Sequence, residues 1–351
     1  MKKPTNPAAA TNKPFEVFLV FLKLGLTSFG GPIAHIGYFR TELVERRRWV
    51  SDSQFSQLLA ISQFLPGPTS SQLGFCMGLL RGGWLGAVAA FVAFTLPSVL
   101  LLLAFVAALP LLSGPVSGAV VHGLKLVACA VVAHAILGMA KTLCDDTAKR
   151  TIAVLTSACL LASSGAATQL FVVLAAALGG ALFLSDNAQS KDFAKIKVPY
   201  GAKLGGVCIG LFVVLLIGFT LVSTGEPQPF SIAAAFYQAG ALVFGGGHVV
   251  LPLLEESVVG AGWVSTDQFL AGYGASQAIP GPMFAFAAYL GAVISPQQHA
   301  AIGVIVALTF IFLPGFLLIA GVLPFWQRIS KHVIARRAIS GVNAAVVGLL
   351  A

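Results

Sequence analysis

The stretch Ser62-Gln63-Phe64-Leu65-Pro66-Gly67-Pro68 returns past the middle of the chain as Ser276-Gln277-Ala278-Ile279-Pro280-Gly281-Pro282. The match extends backward without a gap to Trp49-Val50-Ser51 and Trp263-Val264-Ser265, and ten of the twenty positions are identical. Upstream, Gly25-Leu26-Thr27-Ser28-Phe29-Gly30-Gly31-Pro32 pairs with Gly240-Ala241-Leu242-Val243-Phe244-Gly245-Gly246-Gly247. Downstream, Leu96-Pro97 pairs with Leu313-Pro314, and Gly123 with Gly341. Recurrence in a fixed order over such a length marks a duplicated structural unit.

Around these motifs the composition is that of a membrane protein. Of 351 residues, 57% are hydrophobic and only 9% charged, against about 25% charged in ordinary globular domains; the mean hydropathy is +0.91. Asp, Glu, Lys and Arg are absent from Gly82 to Leu124, from Thr151 to Ser185 and from Gln268 to Gln327. About 20 apolar residues cross a bilayer core, so these runs are read as spans, and a soluble enzyme, a secreted disulfide scaffold and a disordered chain are excluded. The five cysteines are odd in number and lack metal-ligand spacing, which fits buried thiols rather than disulfides. The net charge of +9 resides in short clusters between apolar stretches, the pattern of cytoplasmic loops rather than of a nucleic-acid surface. Lys2, Lys3 and Lys13 precede the first apolar stretch with no small-residue cleavage site after it, so no signal peptide is expected.

Loop charge gives a topology. Before Trp49 the first unit carries Arg40, Arg46, Arg47 and Arg48; the equivalent segment of the second carries Glu255 and Glu256 and no Lys or Arg. With the basic clusters in the cytoplasm, residues 84–109, 151–164, 203–223 and 333–351 cross outward and 115–140, 168–184 and 299–325 inward. The crossing at 203–223 stands alone between the units and inverts the second one. The expected fold is therefore an all-α integral membrane protein, an inverted-topology repeat of two homologous halves joined by a linker span. Its parts are a cytoplasmic tail over 1–14, a first unit over 15–184, a linker over 185–231 and a second unit over 232–351. Four apolar segments, 15–36, 54–80, 232–252 and 267–294, begin and end on one side. Each has a glycine or proline-glycine breaker at its centre, which predicts broken or re-entrant helices whose irregular backbone is buried or lines a wet cavity.

Broken helices aim free N–H groups and positive dipole ends at mid-depth, where they suit an anion. After the first Pro-Gly-Pro stand Thr69, Ser70 and Ser71, whose hydroxyls can donate to an oxyanion; Met283 and Phe284 replace the first two in the second unit. Lys23 and Lys125 fall inside apolar segments, where an ammonium is costly; Gln238 and Asn343 match them in the second unit. Two cations and several helix N-termini fit a divalent oxyanion held mainly by the first unit. The candidate substrate-binding set is Lys23, Thr27, Ser28, Gly30, Gly31, Ser62, Gln63, Pro66, Gly67, Thr69, Ser70, Lys125, Phe244, Gly245, Gly246, His248, Ser276, Gln277, Gly281 and Asn343. His35 and His248 follow breakers and suit a proton carrier or an anion donor. No metal site, cofactor site or catalytic set is expected; a membrane-embedded enzyme using His35, His122, His134 or His248 is the remote alternative.

These motifs resemble the chromate ion transporter family in its long-chain, two-repeat form. The resemblance rests on the Phe29–Pro32 run, on Arg47–Val50, on Gln63–Leu73, on Phe244–Pro252 and on Ser276–Pro282, and it covers essentially the whole chain. It implies a multi-pass protein of the bacterial cytoplasmic membrane, N-terminus inside, that exports chromate by mimicry of sulfate and confers chromate resistance. Sulfate or another oxyanion, taken up or exchanged, is the alternative cargo. The expected partners are the oxyanion and the lipid bilayer, with no nucleic acid; a homodimer is left open. The second unit stops at Ala351, level with Val131–Ala133 of the first, so it is expected to lack the two short spans that close the first.

Overall fold

The computed structural model describes residues 13–108, 147–162, 166–184, 198–221, 226–243, 250–295, 300–326 and 332–350, with isolated positions between 119 and 146 and Ile196. Among these residues the chain is helical, without strands. In the first unit α1 (Lys13–Thr27) and α2 (Gly31–Phe39) are followed by a π-helical turn (Arg40–Arg46), then α3 (Asp52–Phe64) and α4 (Thr69–Ala108). The paired helices α5 (Thr147–Ala162) and α6 (Ala166–Phe183) come next, and α7 (Ala202–Thr220) stands between the units. The second unit repeats the order: α8 (Pro229–Leu242), α9 (Val250–Leu254), a π-helical turn (Glu255–Val259), α10 (Thr266–Ala278), a 3₁₀ turn (Met283–Ala285) continuing into α11 (Phe286–Ile294), and α12 (Ala300–Val322). A last helix, α13, covers Val333–Leu350.

Local chemistry sets the boundaries. At the start of α3 the Ser51 hydroxyl accepts from the Gln54 N–H at 3.2 Å while the Gln54 side chain accepts from the Ser51 N–H at 3.0 Å. Ser265 and Gln268 form the same reciprocal cap on α10, at 3.2 and 3.1 Å. Such a cap satisfies two orphan donors of the first turn. The helices end where glycine and proline forbid continuation: Gly30 (φ 93°) and Gly31 (φ 74°) separate α1 from α2, and Gly67 (φ 124°) and Gly281 (φ 93°) occupy the two Pro-Gly-Pro turns. These positive φ values are glycine territory. Gly82 and Gly83 are non-helical, so α4 is two arms, 69–81 and 84–108, as the separate segments 54–80 and 84–109 require. Thr69–Ala108, Ala202–Thr220 and Ala300–Phe325 are long and apolar enough to cross a membrane.

The first unit's hairpins close on themselves. Near the start of α1, Glu16 receives Arg81 from the end of the first α4 arm at 2.9 Å and lies 3.8 Å from Arg47, just past the π turn. The entry and exit of segment 13–46 thus lie at one end of the unit, together with the exit of the Pro-Gly-Pro hairpin. In the second unit Tyr289 of α11 donates to the Gln268 carbonyl at the start of α10, closing the equivalent hairpin.

Each unit builds an apolar core. Val17, Phe21, Phe39, Leu58 and Phe94 anchor the first, and Phe236, Phe269, Tyr273, Phe286 and Tyr289 the second. The long helices cross between them: Val99 and Leu102 of α4 are buried in the second core, and Ile319 and Ala320 of α12 in the first. The helix between the units docks on the second one, where Tyr237 donates to the Phe212 carbonyl at 3.0 Å and Gln238 to that of Phe219 at 2.7 Å. Its other face leaves Val207, Val214 and Ile217 exposed, a surface suited to lipid. The last helix packs on α5 and α6, where Gly341 meets Gly180 and the Ser157 hydroxyl donates to the Gly348 carbonyl at 2.8 Å; small residues at such contacts let helix backbones approach.

Candidate functional site

The helix interruptions meet, and they meet reciprocally. The Gly67 N–H of the first Pro-Gly-Pro turn donates to the Val243 carbonyl, at the end of α8 in the other unit, at 2.6 Å. The Gly281 N–H of the second turn donates to the Ser28 carbonyl, at the end of α1, at 2.9 Å. Ser28 and Val243 are matching positions, as are Gly67 and Gly281. The flanking contacts join the same places through different side chains: the Ser98 hydroxyl of α4 donates to the Pro280 carbonyl at 2.7 Å, and Gln72 donates to Pro66 at 2.8 Å and to Gly315, the counterpart of Ser98, at 3.0 Å. The two turns thus each bond the helix end of the other unit at a matching position. The junction therefore holds the Gly30-Gly31 break, both Pro-Gly-Pro turns and the Val243 end of the fourth interruption.

Of the first unit's polar residues, Ser28 joins this junction through its carbonyl. Ser28 is fully buried, Thr69 and Ser70 are buried behind the first Pro-Gly-Pro, and the Thr69 hydroxyl donates to the Ser62 carbonyl at 3.4 Å. The Ser62 and Ser276 hydroxyls donate within their own helices, to Leu58 and Tyr273. Gln63 and Thr27 are exposed, and Gln277 reaches the Met283 sulfur at 2.8 Å. Asn343 lies on α13, which packs on α5 and α6. Lys125, Phe244, Gly245, Gly246 and His248 lie outside the described residues.

Lys23 is not an isolated cation. Its Nζ is 3.2 Å from Glu42, whose carboxylate also takes Arg47 at 2.8 Å and Arg46 at 3.4 Å. Sequence reading had no signal for this pairing, because Lys23 and Glu42 are brought together only by the Gly30-Gly31 reversal. Burial alone would raise the Glu42 carboxyl, but the hydrogen bonds from Arg47 and Lys23 and their charges outweigh it and hold it below the usual carboxylate range. Arg40 pairs with Asp52 at 2.9 Å and Arg81 lies over the Trp49 ring. This charged end stands on one side of the junction, and its counterpart in the second unit carries Glu255 and Glu256 on the π turn. Among the described residues no group of three or more His, Cys, Asp or Glu is placed to hold a metal ion.

Interrupted helices meeting at one junction within an apolar, multi-helix scaffold define a multi-pass helical membrane protein. The chain belongs to the chromate transporter family, whose pattern matches residues 15–181 and 230–351. It is 31% identical over 352 residues to a chromate transport protein of Pseudomonas aeruginosa, covering 95% of this chain and 79% of that one. It is 30% identical over 334 residues to a probable chromate transport protein of Synechococcus elongatus, covering 94% and 81%. A chromate transport protein of Cupriavidus metallidurans is 28% identical over 345 residues, covering 95% and 80%. No solved structure matches the chain.

Proposed function

We propose that this protein is a secondary transporter that exports chromate, a divalent tetrahedral oxyanion, across the cytoplasmic membrane, and that the junction of helix breaks is its substrate site. The reciprocal pairing of Gly67 with Val243 and of Gly281 with Ser28 carries the reading: it brings interrupted helices from both units to one place, and helix N-termini there favour a doubly negative guest. Thr69, Ser70 and Ser28 supply hydroxyls, and Lys125 is assigned the positive charge within the span. Membership of the chromate transporter family supports the substrate class.

The two units, 15–184 and 232–351, are inverted relative to each other. The helices α4 and α12 support this, each starting in its own core and ending in the other, so equivalent spans run in opposite senses. The single helix between the units agrees with it, as does the contrast between the basic segment before Trp49 and the acidic one before Trp263. An inside-negative potential favours export: a dianion gains about 4.6 kcal/mol on leaving through 100 mV, a gradient on the order of a thousandfold. Uptake of sulfate would instead need a co-transported cation.

The test is expression in chromate-sensitive cells. Accumulated chromate is expected to fall, with competition by sulfate, and Lys125→Ala is expected to abolish the effect. A rise in accumulation, or no change, refutes export.

A further inference from the structure

Buried polar atoms without hydrogen-bond partners occur in both units, Asn343 Oδ1 among those of the second and Gln72 Oε1 among those of the first, but one set of them has apolar counterparts in the duplicated fold. In the first unit, Ser28, His35, Gln57, Ser71 and Thr95 are at most 4% exposed, and the Ser28, Ser71 and Thr95 hydroxyls, both His35 ring nitrogens and both Gln57 amide atoms lack partners. The matching positions of the second unit hold Val243, Val250, Ala271, Ala285 and Phe312, every one apolar and buried. The duplicated fold thus accepts an apolar side chain at each of these places. An unpaired buried polar group is a cost to folding, so the first unit keeps these groups for something other than stability.

Ser28 and His35 lie together at the junction beside Phe94, and the chain places Thr95 and Ser71 on the helix arms that adjoin it. The His35 imidazole packs edge-on against the Phe94 ring, 5.4 Å between centroids, and lies beside the Ser28 backbone without a well-formed hydrogen bond from either nitrogen. Ser28 is fixed there by the Gly281 N–H. Thr95 follows Phe94 on α4. Ser71 stands one helical turn before Gly74, whose Cα faces Phe39, and His35 stands one turn before Phe39. Gln57 is apart, about 12 Å along α3 from Leu65.

We propose that His35, Ser71 and Thr95, with Ser28, form the seat of the oxyanion, one N–H and three hydroxyls offered to the oxygens of a tetrahedral guest. The assignment rests on the transport reading above and narrows it to the first unit. The second unit supplies the closing wall, with Gly281 held against Ser28.

The test uses the purified full-length protein in detergent and follows the thermal unfolding midpoint against sulfate and chromate concentration. Wild type is expected to gain stability with either anion. His35→Val, Thr95→Val and Ser71→Ala each install an apolar side chain, as the second unit has at these positions. Each is expected to keep or raise the midpoint without anion and to need at least about tenfold more anion for the same gain. Gln57→Ala is expected to match wild type in anion response. Seat variants that respond like wild type overturn the assignment. So does a fall of the anion-free midpoint, which would make the groups structural; Ser71→Ala, which removes a single oxygen, guards against a packing artefact. A wild type indifferent to both anions removes the transport reading and the seat with it.

Discussion

Two glycines hold the junction together, and neither tolerates a side chain. Gly67 adopts φ 124° and a Cβ there would stand 2.9 Å from the Gly315 Cα; Gly281 adopts φ 93° and a Cβ would overlap the Ser98 hydroxyl and stand 3.2 Å from the Phe94 carbonyl oxygen. Gly67→Ala and Gly281→Ala are each expected to cost about 2 kcal/mol or more, from backbone strain and from prising the units apart. Thermal unfolding in detergent checks this, and an unchanged midpoint for both would show that the turns relax. The paired position Arg48 and Gly262 makes a milder case. Both residues sit in the left-handed region, at φ 52° and 73°, directly before the tryptophan of their unit. Gly262→Val is expected to destabilise by about 1–2 kcal/mol, because a β-branched residue fits that region poorly, whereas Arg48→Gly is expected to be near neutral.

At the scale of elements, the paired capping boxes and the charged end of the first hairpins do different work. Ser51→Ala and Ser265→Ala each remove one side of a reciprocal cap and are expected to cost about 1 kcal/mol. Equal losses, measured by thermal unfolding, would show that the two units weigh alike. The charged end has no such symmetry. Glu42 joins Lys23 on α1 to Arg46 and Arg47 after α2, so it fastens the two limbs of one hairpin. Its folded carboxyl is held below the ordinary value. The stabilisation is therefore fully present above the ordinary glutamate value and is lost as pH falls through it and on through the depressed folded value. Wild type is expected to lose stability over that acid range more steeply than Glu42→Gln, and parallel curves would show that the network contributes nothing.

For the whole molecule the decisive question is which way each unit faces. In a cysteine-free background, Gly260→Cys, past the acidic π turn of the second unit, is expected to react with an impermeant reagent from outside. Lys149→Cys, at the start of α5, is expected to react only from the cytoplasm. Labelling of both from the same side would mean that the units are parallel.

Much of the fold could be read from the sequence because its signals are local. Glycine and proline end helices whatever surrounds them, so the interruptions at 28–31, 65–68 and 279–282 fall where the motifs place them. Long charge-free runs give the apolar helices for the same reason. The site was less legible. Thr69 and Ser70 stand out by following a breaker, but Thr95 lies in the middle of an apolar helix with no local mark, and His35 could equally be a packed histidine. Comparing the two copies position by position is the signal that singles them out.

The sequence by itself determined the duplication, the membrane class and the places where helices break, since each depends on neighbouring residues and on the cost of charge and unpaired backbone in lipid. Only the tertiary structure decided that the breaks meet, that Gly67 and Gly281 exchange hydrogen bonds across the units, and that Lys23 is claimed by Glu42. Those contacts join residues far apart in the chain, and nothing local to either partner encodes which carbonyl or carboxylate the folded chain brings opposite it.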